Sequence, residues 1–181
     1  MLLFLDFLTE KDLFTDCDYI KVSDYFFEIQ GKIVSEKQGI DENLIGGNKS
    51  AEDACDDVED GCTTGCNVVM ANRLVEIPYK TFKELLAEFK PYIKKVKEHM
   101  KEEGCPDEEV KGFEKAAMDY ILSIKKNFKE YQFFQPDCDL GGGAHCIVFM
   151  WYPEKDLRGV DQDGFSPVLT VFKHAVKQVK V

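Results

Sequence analysis

The chain has 181 residues, 44% of them hydrophobic, with 34 acids against 23 lysines and arginines and a formal net charge of −11. That composition excludes wholesale disorder, and the charge excludes a protein that wraps nucleic acid by neutralising phosphates. The length fits one domain spanning 1–181, and no apolar run approaches the roughly 20 residues of a membrane helix. Leu2 to Phe7 reads as a short buried strand. The opening run is broken by Asp6 and has no basic leader, so no signal peptide is expected, and the seven cysteines are expected as reduced cytoplasmic thiols. Ile20 to Val22 and Tyr25 to Ile29 read as strands, with Gly31 turning the second into Lys32-Ile33-Val34 as a hairpin. From Asp41 to Asp60 there are eight acids and one lysine. Such a segment buries too little apolar surface to order itself, so a mobile acidic loop is expected over 41–66. Strand signals return at Val68 to Met70 and Leu74 to Ile77.

A helical pattern follows. Thr81-x-x-Glu84 is a capping box. Phe82, Leu85, Leu86, Phe89, Ile93, Val96 and Met100 then fall within about 50° of one line at 100° per residue. Pro91 predicts a kink, Gly104 an end, and Pro106 a new start. Val110, Phe113, Ala117, Tyr120, Ile121, Ile124 and Phe128 form the stripe of a second helix, so 80–129 is expected as an antiparallel helical hairpin. With Phe82 at zero, Lys83, Lys90, Lys94, Lys97 and Lys101 lie at about 60–120°, Glu84, Glu88, Glu98 and Glu102 at about 160–240°, and Glu103 at about 300°. The signs are segregated. The segment 80–129 holds twelve lysines and ten acids, a net +2 that leaves −13 on the rest of the chain. Tyr131 to Phe134, Ile147 to Tyr152 and Val168 to Phe172 read as strands, with a glycine run at 141–143 and a turn at 161–164. Strands, a helix pair and strands again give an α+β order.

Several local motifs fail. Gly46-Gly47-Asn48-Lys49-Ser50 has asparagine where a phosphate loop needs glycine. Asp56, Asp60 and Gly61 fit three positions of a calcium loop, but Val58 and Asn67 spoil two others, which excludes an EF-hand of high affinity. The carboxylates Asp53, Asp56, Asp57, Glu59 and Asp60 remain a candidate weak calcium site, against the reading of a merely solvated loop. Cys62-x3-Cys66 has a permissible zinc spacing without a second tight pair, so free thiols are expected rather than zinc. His99, His145 and His174 stand in unlike contexts, His99 on the polar side of the first helix, and no catalytic constellation is legible. An enzyme is not expected.

Leu44-Ile45-Gly46-Gly47-Asn48-Lys49-Ser50-Ala51-Glu52 resembles the first signature of the translationally controlled tumour protein family, also called histamine-releasing factor or fortilin. Asn127-Phe128-Lys129-Glu130-Tyr131-Gln132-Phe133-Phe134 resembles the start of the second. The order between them, acidic loop, Val68-Val69-Met70 and lysine-rich hairpin, is similar too. The resemblance implies a β-tent, Mss4-like core of mixed sheets with a protruding helical hairpin and a mobile loop, generally without the zinc cysteines of the Mss4 class. It implies a cytoplasmic protein that binds calcium and associates with tubulin and microtubules. Roles through a Rheb-type small GTPase, anti-apoptotic binding and unconventional secretion are also ascribed to the family.

This chain departs from the pattern at Gln135-Pro136-Asp137, in the length of 157–163, and at its end, Val179-Lys180-Val181, where a Lys-Cys terminus is usual. A dimer through a terminal cysteine is therefore not expected. Asp12 stands where the family has a glutamate implicated in GTPase contact. Two readings stay open beside a copy that keeps only the fold: a calcium- and microtubule-binding protein, and an exchange-factor-like regulator or chaperone of a small GTPase. The lysines Lys83, Lys90, Lys94, Lys97 and Lys101 are the candidate tubulin contacts, because an acidic protein needs a local positive strip to approach acidic tails.

Overall fold

Alternating apolar residues make strands wherever one face can be buried, and the computed structural model pairs eleven of them across its described residues, 1–37, 62–138, 145–162 and 166–181. In chain order they are β1 (Leu2–Asp6), β2 (Asp12–Thr15), β3 (Tyr19–Val22), β4 (Phe26–Gln30), β5 (Ile33–Lys37), β6 (Cys62–Cys66), β7 (Val75–Glu76), β8 (Gln132–Gln135), β9 (Val148–Trp151), β10 (Val168–Phe172) and β11 (Val176–Lys180). The helices are α1 (Asn67–Ala71), α2 (Phe82–Glu102) and α3 (Asp107–Lys126). Single 3₁₀ turns follow at Phe128–Glu130 and Lys173–Ala175.

Three antiparallel sheets result: β11-β1-β2, β3-β4-β10-β9-β8-β7, and the ribbon β5-β6. The six-stranded sheet is the middle layer. One face carries Phe27, Ile29, Leu169 and Val171, and there Phe27 meets the small sheet, in which Phe4 stacks on Phe14 at 4.4 Å and meets Phe27 edge-on at 5.4 Å. On the other, Phe149 and Phe172 receive Phe89, Phe113 and Tyr120 from the hairpin, with ring centroids 5.2–6.4 Å apart. This is the α+β arrangement of mixed sheets plus a helical hairpin expected from the sequence.

The helical pattern holds closely. Thr81 Oγ1 accepts from the Glu84 amide at 3.4 Å, and the Glu84 carboxylate accepts from the Lys80 amide at 2.8 Å. The stripe buries Leu85, Phe89, Ile93, Val96 and Met100, with Tyr92 added. α2 runs on through Pro91, and Gly104, at φ +80°, closes its end.

Four strand expectations are corrected. Ile33–Lys37 does not form a hairpin with β4; it pairs with Cys62–Cys66, so the last five residues expected as loop are a strand. After β4 the Gly31 amide donates instead to Pro167 O at 2.8 Å, tying the chain to the entry of β10. Val68 to Met70 is a turn of helix, its amides continuing from Asn67, whose own N–H donates to Lys32 O. β2 and β11 were not anticipated: β2 follows β1 too closely to separate by pattern, and β11, Val-Lys-Gln-Val-Lys, holds two apolar residues in five.

Candidate functional site

Seating one stripe of α2 on the sheet leaves its flank in solvent. Lys83, Lys90, Lys94 and Lys101 are exposed and have no ion pair among the described residues. Lys97 differs: its Nζ lies 2.7 Å from Glu114 Oε1 on α3, and its side chain is 26% exposed. Lys97 is thus the one lysine of the five that is ion-paired among the described residues. Three acids of the same segment are also engaged. Glu84 caps the helix, Glu88 accepts from the Tyr79 hydroxyl, and Glu103 faces His99 at 3.3 Å.

Asp12 is exposed at the start of β2, the edge strand of the small sheet. The carboxylates Asp53, Asp56, Asp57, Glu59 and Asp60, and the signature residues Ile45, Gly46, Gly47, Asn48, Ser50, Ala51 and Glu52, lie outside the described residues. Cys62 and Cys66 sit at opposite ends of β6, which at ~3.3 Å per residue separates their backbones by ~13 Å. One ion cannot take both, because Zn–S bonds are about 2.3 Å. Among the described residues no three His, Cys, Asp or Glu are grouped to hold a metal.

The histidines are not scattered. Each meets a glutamate of the hairpin: His99 with Glu103, His145 with Glu88 at 3.6 Å, and His174 with Glu109 at 3.1 Å. His99 is not on a polar face but stacks on Phe7 at 4.6 Å. His99 and His174 line one cavity of about 650 Å³ with Phe7, Cys105 and Lys177, where the hairpin tip meets the 3₁₀ turn before β11. Burial pushes the His174 imidazole below its usual 6.5, with Glu109 acting in opposition, and its Nδ1 is buried without a hydrogen-bond partner among the described residues.

Asp6 is fully buried. Its carboxylate accepts from the Leu8 amide at 3.2 Å, the Thr9 hydroxyl at 2.7 Å and the Cys146 amide at 3.2 Å. The Cys146 thiol lies 3.4 Å from the Tyr92 hydroxyl, and burial, then the Asp6 charge, hold that thiol well above its ordinary value. A buried thiol so placed is a poor nucleophile.

A second cavity, of about 820 Å³, opens on the helix-bearing face of the large sheet, lined by Glu28, Glu130, Trp151, Glu154, Lys155 and Val168 among others. No motif announces it, because its walls come from four segments remote in sequence. The only cue is that the chain holds a single tryptophan.

No helix among the described residues is long and apolar enough to cross a membrane. Residues 1–177 match the sequence profile of the family described as "Translationally controlled tumour protein". The Branchiostoma belcheri homologue of that protein is 37% identical over 182 residues, covering 99% of both chains. The Kluyveromyces lactis homologue is 34% identical with complete coverage of both. Among solved structures, the translationally controlled tumour-associated protein p23fyp of Schizosaccharomyces pombe superposes with a TM-score of 0.75 at 32% identity, each chain fully covered. The solution structure of the Caenorhabditis elegans translationally-controlled tumor protein does so with a TM-score of 0.69 at 27% identity, covering 100% of this chain and 99% of that one. With sheets and hairpin shared along the whole length, the fold is Mss4-like and the chain belongs to the translationally controlled tumour protein family.

Proposed function

We propose that this protein works by binding other proteins, as a cytoplasmic, calcium-binding and microtubule-associated member of its family, with no catalytic step. The observation that carries the reading is the exposed strip Lys83, Lys90, Lys94 and Lys101 on a chain of net charge −11. A local positive strip lets such a chain approach the acidic surface of tubulin. Changing Lys90, Lys94 and Lys101 together to glutamate should abolish co-sedimentation with microtubules while circular dichroism is unchanged. Wild-type binding should also fade with salt, since exposed charges are screened within about 8–10 Å near physiological ionic strength. Binding that survives both changes refutes the reading.

Calcium binding is proposed at Asp53, Asp56, Asp57, Glu59 and Asp60, with an affinity of roughly 10⁻⁴–10⁻³ M, because a carboxylate cluster without EF-hand geometry is a weak site. A calcium titration followed by amide NMR tests it. Silent signals from 53–60 while others move would relocate the site.

Asp12 favours a second reading, a regulator or chaperone of a small GTPase. It is an exposed acid on an edge strand, free to meet a basic partner group. Asp12→Asn should weaken GTPase binding without lowering the melting temperature. Equal binding by both proteins removes Asp12 from the argument.

A further inference from the structure

We propose that the cavity at Trp151 is a recognition site for arginine, presented on an extended basic segment of a partner protein. Val168 pairs with Trp151 and with Gln30, one step beyond Thr170, Phe149 and Glu28, so Trp151 projects from the same face just past the end of α3. There the 3₁₀ turn Phe128–Glu130 brings in Glu130, and Tyr131 stacks on the indole at 6.0 Å with the planes 18° apart. The indole is thus fixed from one side by an aromatic ring, and the rest of it lines the cavity.

The far wall is the segment after β9, and it is held in place. The Leu157 amide donates to Gln30 Oε1 at 3.0 Å, Gln162 Nε2 donates to Pro153 O at 2.9 Å, and the Arg158 guanidinium covers the Tyr19 ring at 4.5 Å. Pro153 and Val168 make the floor apolar. The rim is acidic: Glu28, Glu130 and Glu154 line the cavity, and none has an ion pair among the described residues. The one lysine there, Lys155, is matched by Asp161 at 3.8 Å.

A flat aromatic surface edged by carboxylates fits a flat cation. A guanidinium stacks on an indole through cation–π attraction and can donate two parallel hydrogen bonds to a carboxylate; an ammonium does the first less well and the second not at all. At about 820 Å³ the cavity exceeds one side chain, so residues flanking the arginine would lie in it too. The surface is separate from the lysine strip of α2 and does not depend on it.

Because Trp151 is the only tryptophan, its fluorescence reports this site and no other. The full chain is titrated with acetyl-Gly-Arg-Gly-Arg-Gly-amide and with the same peptide carrying citrulline, which keeps the planar shape and loses the charge. The arginine peptide should shift the emission saturably, and the citrulline peptide should bind about tenfold more weakly. Glu130→Gln with Glu154→Gln, both at exposed positions, should weaken the arginine peptide about tenfold while Glu102→Gln with Glu103→Gln on the hairpin tip does not. Trp151→Leu, followed by calorimetry, should weaken it as well. Equal binding of the two peptides, no emission change with either at millimolar concentration, or an unaltered affinity in the Glu130/Glu154 variant overturns the proposal. The last result would mean attraction to the net charge alone.

Discussion

At the scale of single residues, the groups that matter most are polar and buried. Asp6 joins the turn after β1 to the entry of β9 through three donors: two backbone amides and the Thr9 hydroxyl. Asp6→Ala removes the acceptor and strands the amides of Leu8 and Cys146 away from water. The expected loss is ~3–4 kcal/mol in urea denaturation, since each unsatisfied buried donor costs ~1–3 kcal/mol. His174 makes the opposite kind of statement. Its pKa is lowered by burial, against Glu109 and Glu103 and reinforced by Lys173 and His99. The unfolded chain therefore binds its proton first. The stability due to neutral His174 is complete above about pH 6.5 and declines as pH falls below that value. The melting temperature should drop on acidification from pH 7.5 to 5.5, and His174→Gln should flatten that drop. An unchanged slope in the variant would show that other groups set it.

At the scale of elements, the hairpin is held to the sheet by shape as much as by its stripe. Gly112 on α3 lies against the Tyr25 hydroxyl, and a Cβ there would overlap it. Alanine gains ~1 kcal/mol of helix propensity over glycine, while overpacking costs ~1–3 kcal/mol. Tyr25 cannot swing away freely, because its carbonyl accepts from the Lys173 amide at 2.8 Å and its ring faces His174. Gly112→Ala is therefore expected to destabilise by up to ~2 kcal/mol in denaturant titration, and Gly112→Ala with Tyr25→Phe should recover most of it. If the single variant is more stable than wild type, propensity has won and the contact is soft. The ion pair within the hairpin is a smaller matter. Lys97 and Glu114 are partly exposed, and such pairs contribute about 0–1 kcal/mol.

At the scale of the whole molecule, the two chain ends close the small sheet. β1 pairs with β11 from Leu2↔Lys180 to Asp6↔Val176, and β2 flanks it on the other side. The β1 face carrying Phe4 packs on Phe14 and Phe27, so this sheet covers the core beneath the large one. Ending the chain after Ala175 removes the five-residue ladder. At ~0.5–1.5 kcal/mol per hydrogen bond the expected loss is ~3–5 kcal/mol, read as a lower denaturant midpoint. Retention of the wild-type midpoint would mean that β1 and β2 suffice.

What the sequence by itself determined is what local chemistry controls. A 3.6-residue period and a capping box located α2, a second stripe located α3, and both needed only neighbours within a few turns. The separation of lysines from acids on α2 was legible for the same reason, and the family signatures, being contiguous, gave the fold by resemblance. Tertiary structure alone decided the rest. Strand pairing is a choice between partners far apart in sequence, so β5 could take β6 in place of β4 without any local sign. β10, Val-Leu-Thr-Val-Phe, is buried on both faces and shows no alternation that would orient it. The His145–Glu88 and His174–Glu109 pairs, the Lys97–Glu114 pair and the acidic ledge around Trp151 each join residues from separate elements. Such clusters exist only after the hairpin has been laid on the sheet, because packing places their members within bonding reach and no spacing in the sequence records it.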